Sequence, residues 1–138
     1  FTGVAEPRKD RRDAFVKDHQ IQEENAVSSW EELLNRPRMA DCVLICTQDQ
    51  MHYKPLKMAV QKGYHILCEK PITPVKEELS DVYRLASQYD KTISICHVLR
   101  YSPFFIELRK LLTSGAIGEL IDIQHIESVG YGSQLCAG

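Results

Sequence analysis

The sequence predicts an α/β fold: a doubly wound parallel sheet with helices on both faces, followed by the start of a second α/β domain. Three observations predict it. Short β-rich runs alternate with helical stretches from residue 3 to residue 97. The runs Val43-Leu44-Ile45 and Ile66-Leu67 are continuously apolar, as strands buried on both faces are. Successive runs also end in polar or ionisable residues while their bodies do not, and open parallel sheets collect ligands at their strand ends.

Each element has its own signal. A first strand is predicted over 3–6. The helix over 8–19 is polar, with an apolar side at Ala14, Phe15 and Val16. The helix over 28–35 opens with capping-box chemistry twice over, Ser28 with Glu31 and Ser29 with Glu32. A strand over 42–47 leads into a helix over 53–62, which puts Leu56, Ala59 and Val60 on one side and ends at Gly63, a C-cap residue. A strand over 65–68 follows. Thr73-Pro74 reads as a capping hydroxyl and a first-turn proline for a helix over 75–88. There Leu79, Val82, Tyr83, Leu85 and Ala86 recur at spacings of three and four. A strand over 92–97 precedes a helix over 104–113, with Phe105, Leu108, Leu111 and Leu112 facing inward and a stop at Ser114-Gly115. Residues 120–128 alternate without a uniformly apolar face, which suggests a half-buried, antiparallel strand of a second sheet.

Composition excludes several classes. The 138 residues carry 17 Lys+Arg and 19 Asp+Glu, a net charge of −2, with 43% hydrophobic and 26% charged residues. These are globular proportions. Near neutrality argues against a dedicated nucleic-acid binder. No apolar run approaches the roughly 20 residues of a membrane span. The opening Phe1-Thr2-Gly3-Val4-Ala5 has no basic n-region and no Met, so the expectation is a chain read from partway into a gene product rather than one with a complete signal peptide. The cysteines are Cys42, Cys46, Cys68, Cys96 and Cys136, with no C-x-x-C and no zinc-finger spacing. Four of the five, Cys42, Cys46, Cys68 and Cys96, sit inside apolar runs and read as small buried hydrophobes in strands, without metal, and as a sign of a cytoplasmic, reducing compartment.

The strand ends supply the candidate chemistry. Glu6 ends the first strand just before a helix. An acid there can accept hydrogen bonds from both hydroxyls of an adenosine ribose and repel a 2′-phosphate, or simply complement the helix dipole. Arg8, Lys9, Arg11 and Arg12 could meet a phosphate, but they alternate with Asp10 and Asp13 as a solvated face does. Lys70 follows a buried strand in Glu69-Lys70-Pro71. Read alone it is a surface lysine; held at such an edge it can donate to a substrate oxygen and move its proton. Pro71 is a candidate for a cis bond. His97 is a proton donor or a satisfied polar residue at a strand end. Cys96, its neighbour in a strand, points to the opposite face and makes a poor nucleophile for it.

These strand ends together resemble the glucose–fructose oxidoreductase / inositol dehydrogenase / MocA-like family. The residues that carry the resemblance are Val4-Ala5-Glu6-Pro7, the run from Asp41 to Thr47 with His52 following, and Gly63 to Pro71 with its Glu-Lys-Pro signature. Arg100-Tyr101-Ser102-Pro103 and Gly115-Ala116-Ile117-Gly118-Glu119 are similar to the family's passage into its second domain, and the likeness extends to about Tyr131. It implies a Rossmann-like dinucleotide-binding domain over 1–99 and the beginning of a substrate and oligomerisation domain over 100–138. It implies NAD, with NADP second, a small-molecule substrate and a homo-oligomer. By position, Lys70 looks like the catalytic lysine. Glu6, Arg8, Thr47, Gln48, His52, Glu69 and Lys70 fall on the cofactor side, and His97, Arg100 and Tyr101 on the substrate side.

Two departures accompany the resemblance. The family opens with a strand and a Gly-x-Gly-x-x-Gly turn that seats the pyrophosphate. This sequence holds only Gly130-Tyr131-Gly132. Its sheet is therefore expected to lack the family's first strand, with a gap between the strands ending at Glu6 and Thr47. It also stops before the family's His/Asp pair, and its last seven residues do not match the family's continuation. The resulting expectation is hydride transfer between a nicotinamide dinucleotide and a carbinol of a sugar or polyol, with these residues alone binding dinucleotide poorly. Two competitors stand beside it. One is an impaired fragment that self-associates through an unpaired strand at 120–128. The other is a flavodoxin-like signalling domain, which leaves Glu69-Lys70-Pro71 unexplained.

Overall fold

The computed structural model describes residues 1–128; Gly130-Tyr131-Gly132 and Cys136 lie outside the described residues. Its regular elements, in order, are β1 (Val4–Ala5), α1 (Lys9–His19), β2 (Ala26–Val27), α2 (Trp30–Asn35), β3 (Cys42–Ile45), α3 (Tyr53–Gln61), β4 (His65–Cys68), α4 (Lys76–Ser87), β5 (Ile93–Ile95) and α5 (Pro103–Thr113). One compact unit runs from Phe1 to Cys96 and a second begins at His97.

Every strand pair is parallel, so each connection must cross over, and helices do the crossing. β1 pairs with β2 through Val4 opposite Ala26 and Ala5 opposite Val27. β4 lies between β3 and β5, with Ile45, Cys68 and Ile95 in one row. Among the described residues no ladder joins the two sheets. This is the predicted break, between the strands that lead to Glu6 and Thr47. β3 therefore has an open edge, and Leu44 at its centre is half exposed.

The core of the first unit sits between α3 and the β3-β4-β5 sheet. Leu56 and Ala59 of α3 are fully buried against Ile45, Ile66, Cys68 and Tyr64, with Leu34 and Val82 alongside. The predicted α3 face is the observed one. Its end is also as expected. Gly63 takes φ +74°, its N–H donates to Val60 O (3.0 Å), and the Tyr64 N–H donates to Ala59 O (3.2 Å). That pair of bonds closes the last turn, and a left-handed glycine permits it.

The same closure ends α1 without a glycine. Gln20 holds φ +54° and ψ +40° while the Ile21 N–H donates to Val16 O (3.1 Å). A residue with a Cβ is disfavoured in that conformation by roughly 1–2 kcal/mol, partly offset by the extra unfolded-state freedom of glycine. Gln20→Gly is therefore expected to stabilise the protein by about 0.5 kcal/mol. A urea titration with unchanged slope reads this, and a lower midpoint overturns it.

Several sequence expectations are corrected. Residues 120–128 form no strand and are exposed throughout, because no strand among the described residues lies beside them to take their backbone hydrogen bonds. β2 was not predicted; its two residues are too short for a periodicity, and only the buried Ile21 and Val27 in a polar stretch signalled it. Of the paired caps only Ser29 forms, its Oγ accepting from the Glu32 N–H (3.2 Å). Val75, not Thr73, caps α4, and Thr73 Oγ1 accepts from the Val75 N–H (3.1 Å) while donating to Glu78. Leu79 and Tyr83 point outward, and α5 buries none of its residues within its own unit. Cys42 and Cys46 are exposed rather than buried, since β3 is an edge strand. No helix among the described residues is long and apolar enough to cross a membrane.

Candidate functional site

The carboxyl ends of β3, β4 and β5 leave the sheet together. One further rung extends the ladder past the strands: the Glu69 N–H donates to Ile45 O (2.9 Å) and the Cys96 N–H to Cys68 O (2.9 Å). Register then sets Cys46, Glu69 and Cys96 in the next row, with Cys68 one residue behind. Desolvation by the surrounding protein pushes all three thiols up, even at Cys46, whose residue is exposed overall, and the Glu69 carboxylate adds to the shift at Cys46 and Cys96. Cys68 is pushed up to about 12, by burial first and then by the neighbouring thiols and Glu69. Among the described residues no three His, Cys, Asp or Glu side chains group as a metal site.

A thiol with that value leaves only roughly one part in a thousand as the reactive thiolate at pH 9. Iodoacetamide at pH 9 is expected to alkylate the exposed Cys42 in the folded protein and spare Cys68. Peptide mapping by mass spectrometry checks this. Equal labelling of the two would contradict the buried environment of Cys68.

The Lys70 turn is anchored on both sides. The Lys70 N–H donates to the Glu69 carboxylate (3.1 Å), and the Lys70-Pro71 peptide is cis. On the far side Pro71 O lies 2.6 Å from His52 Nδ1. The other ring nitrogen, Nε2, lies 2.8 Å from Thr47 O at the exit of β3. The ring of His52 is wholly buried. His52, expected to line a dinucleotide, therefore has both nitrogens facing main-chain carbonyls. Lys70 is exposed, and its ammonium has no hydrogen-bond or ion-pair partner among the described residues. The Thr47 hydroxyl is buried and also lacks a partner there. Gln48 is exposed and opens the 3₁₀ turn Asp49–Met51, accepting from the Met51 N–H (2.7 Å).

Glu6 leaves β1 on a braced backbone. Its N–H donates to Val27 O (3.0 Å), and the Arg12 guanidinium donates to its main-chain oxygen. One carboxylate oxygen accepts from the Arg8 N–H (2.8 Å), just before α1. That is the dipole-complementing role, and it leaves the second oxygen uncommitted. The Arg8 guanidinium is exposed and paired with Asp10 (2.9 Å), which raises its pKa. Lys9 pairs with Asp13 (2.5 Å), so the first two basic residues of the run are matched by its own acids.

His97, Arg100 and Tyr101 belong to the second unit. All three are exposed, and the 3₁₀ turn Val98–Tyr101 joins them, with the Arg100 N–H donating to His97 O (3.1 Å). A further cluster went unread in the sequence. Asp81 of α4 accepts from the Tyr53 hydroxyl (2.6 Å) and from Lys57 (3.0 Å) of α3, and pairs with Arg84. The Tyr53 hydroxyl, with these cations, holds its carboxyl below the usual range. The cluster braces the helix that carries His52 at its start. Its signal, an acid among the apolar positions of a helix, has meaning only once α3 faces it.

Helix-covered parallel strands with Glu6, Thr47 and Lys70 at their carboxyl ends define a Rossmann-type nucleotide-binding fold. Residues 1–97 match the profile of the Gfo/Idh/MocA proteins, an oxidoreductase family with an NAD-binding Rossmann fold, and the chain belongs to that family. It is similar to inositol 2-dehydrogenase of Corynebacterium glutamicum, 40% identical over 82 residues that cover 59% of this chain and 24% of that protein. The Escherichia coli oxidoreductase YhhX is 29% identical over 97 residues, covering 70% of this chain and 28% of its own length. The chain thus spans about a quarter of the curated relatives it matches. Its fold superposes on scyllo-inositol dehydrogenase of Lactobacillus casei, solved with NAD(H) and scyllo-inositol, with a TM-score of 0.79 and 17% identity. That match covers 86% of this chain and 34% of the other.

Proposed function

We propose that this chain is the dinucleotide-binding part of an enzyme that moves hydride between NAD(H) and a carbinol of a sugar, polyol or related small molecule. The observation that carries this is the unpaired Lys70 ammonium at the exit of β4, on a backbone anchored by Glu69 before it and by the Pro71 carbonyl after it. The residues present fit the cofactor at both ends. Glu6 has a carboxylate oxygen left for a ribose hydroxyl, and Thr47 has a hydroxyl without a partner. Gln48 borders the dinucleotide beside Thr47, while His97, Arg100 and Tyr101 serve the substrate side.

The bound nicotinamide supplies the hydride acceptor or donor. In its neutral amine form Lys70 accepts the carbinol's O–H proton as the hydride leaves carbon for the nicotinamide, becoming the ammonium; in reduction that ammonium hydrogen-bonds the carbonyl oxygen and returns the proton. The anchored turn limits the geometries in which that lysine is offered. The same reading places the full-length protein in the cytoplasm as a homo-oligomer. The free thiols of the described cysteines support the reducing compartment, and the homo-oligomer follows from the family resemblance alone.

The test is turnover of NAD⁺ by the full-length protein against a panel of inositols and aldoses, followed by NADH absorbance. Oxidation of none of them, together with no NADH binding, would end the proposal. Glu6 sets the cofactor choice. Glu6→Ala is expected to weaken NADH binding about tenfold or more, the cost of a charged hydrogen bond, and to narrow the preference over NADPH. Unchanged selectivity would remove Glu6 from the site.

A further inference from the structure

We infer that His52 is a positioning residue: its buried ring couples the exit of β3 to the turn that presents Lys70, from behind the face a ligand would use. The inference rests on the proposed role of Lys70. Its physical basis is the pair of contacts on opposite sides of one ring, to Thr47 O at 2.8 Å and to Pro71 O at 2.6 Å. Carbonyl oxygens only accept. A singly protonated ring donates to one of them and a doubly protonated ring to both.

The ring's location gives the contacts their consequence. His52 stands immediately before α3, and its own carbonyl accepts from the Leu56 N–H (3.1 Å), which ties it to a fully buried residue of the core. The Pro71 carbonyl follows the Lys70-Pro71 peptide directly. Lys70 thus hangs between two supports: Glu69, whose N–H is bonded to β3, and Pro71, which meets His52. Its own side chain has no anchor. Without the imidazole, the support after Lys70 is lost, and the carbonyls of Thr47 and Pro71 lose the ring N–H that lies between them. An apolar side chain of similar size would fill the space and leave both carbonyls without it.

The test uses the full-length protein with His52→Leu and His52→Asn, the second keeping an amide donor. For His52→Leu the expected result is a kcat about a hundredfold lower, because misplacement of a catalytic group by an ångström has that effect. The NADH dissociation constant should rise by less than about tenfold, since Glu6 is untouched and only the exit of β3 at Thr47 loses a contact. His52→Asn should recover about tenfold of the lost kcat, the worth of one hydrogen bond. Amide hydrogen exchange gives a readout independent of activity. In His52→Asn the peptide spanning residues 69–75 should exchange about tenfold faster than in the parent protein, with residues 4–27 unchanged.

Three results would overturn the inference. One is a folded His52→Leu protein with kcat within threefold of the parent. Another is an asparagine variant no better than the leucine one. The third is unchanged exchange at residues 69–75. If His52→Leu does not fold, His52→Gly with added imidazole replaces it. Imidazole should then restore kcat and thiophene, a ring of similar shape without N–H donors, should not; equal restoration refutes the positioning role. A parent protein that neither binds NADH nor turns over a polyol defeats the proposed function instead, and the exchange measurement still decides what His52 holds.

Discussion

Lys70→Ala lowers kcat of the full-length protein about a thousandfold, the range in which a positioned proton-transfer group contributes. The expectation follows from what Lys70 does not do. It is exposed, it pairs with no acid among the described residues, and nothing in the first unit's packing depends on it. Its removal should therefore change folding stability by no more than about 0.5 kcal/mol. NADH binding should stay within about threefold, because Glu6 and its bracing by Val27 and Arg12 are unaffected. A large loss of kcat beside unchanged stability and affinity is the signature of a group used in the reaction. Steady-state kinetics, a urea titration and an NADH titration check the three parts. A Lys70→Ala protein with kcat within threefold of the parent would remove Lys70 from the chemistry.

Leu56→Ala should lower folding stability by about 3 kcal/mol, a large share of what domains of this size possess. Leu56 is fully buried in α3 against the β3-β4-β5 sheet, so truncation leaves a cavity as well as less apolar burial. Leu79→Ala is the comparison. The sequence spacing assigned both leucines to inward faces, but Leu79 is 49% exposed. Its truncation should cost under about 1 kcal/mol. Urea midpoints of the two variants decide the matter, and equal losses would contradict the observed burial.

Those two leucines also show where sequence reading stops. The α3 face was legible because its buried residues, Leu56 and Ala59, are apolar and lie at helical spacing. The α4 face was not. Its inward stripe runs through Glu78, Asp81, Val82 and Leu85, and two of these are acids. Each acid is accommodated by a partner on another segment, Glu78 by the Thr73 hydroxyl and Asp81 by Tyr53 and Lys57. A pattern of apolar residues carries no record of such partners. The strand expected at 120–128 failed for a related reason. Alternation shows that a segment could pair, but pairing also needs a neighbour with open hydrogen-bonding groups.

The candidate site divides along the same line. Strand ends are marked locally, by an apolar run that stops at a polar or charged residue, so Glu6, Thr47, Glu69 and Lys70 could be placed at the edge of a parallel sheet without coordinates. Which of them are braced, and by what, could not. His52 reads in one dimension as another polar residue after a strand. In three dimensions it is a buried link to a loop nineteen residues further along the chain. Parallel order, helix stops and the chemical identity of each strand end arise from short-range preferences, which neighbouring residues encode. Register across β3, β4 and β5, the raised thiol of Cys68 and the two carbonyls facing His52 depend on segments that meet only when the core excludes water, and that meeting is a property of the tertiary structure.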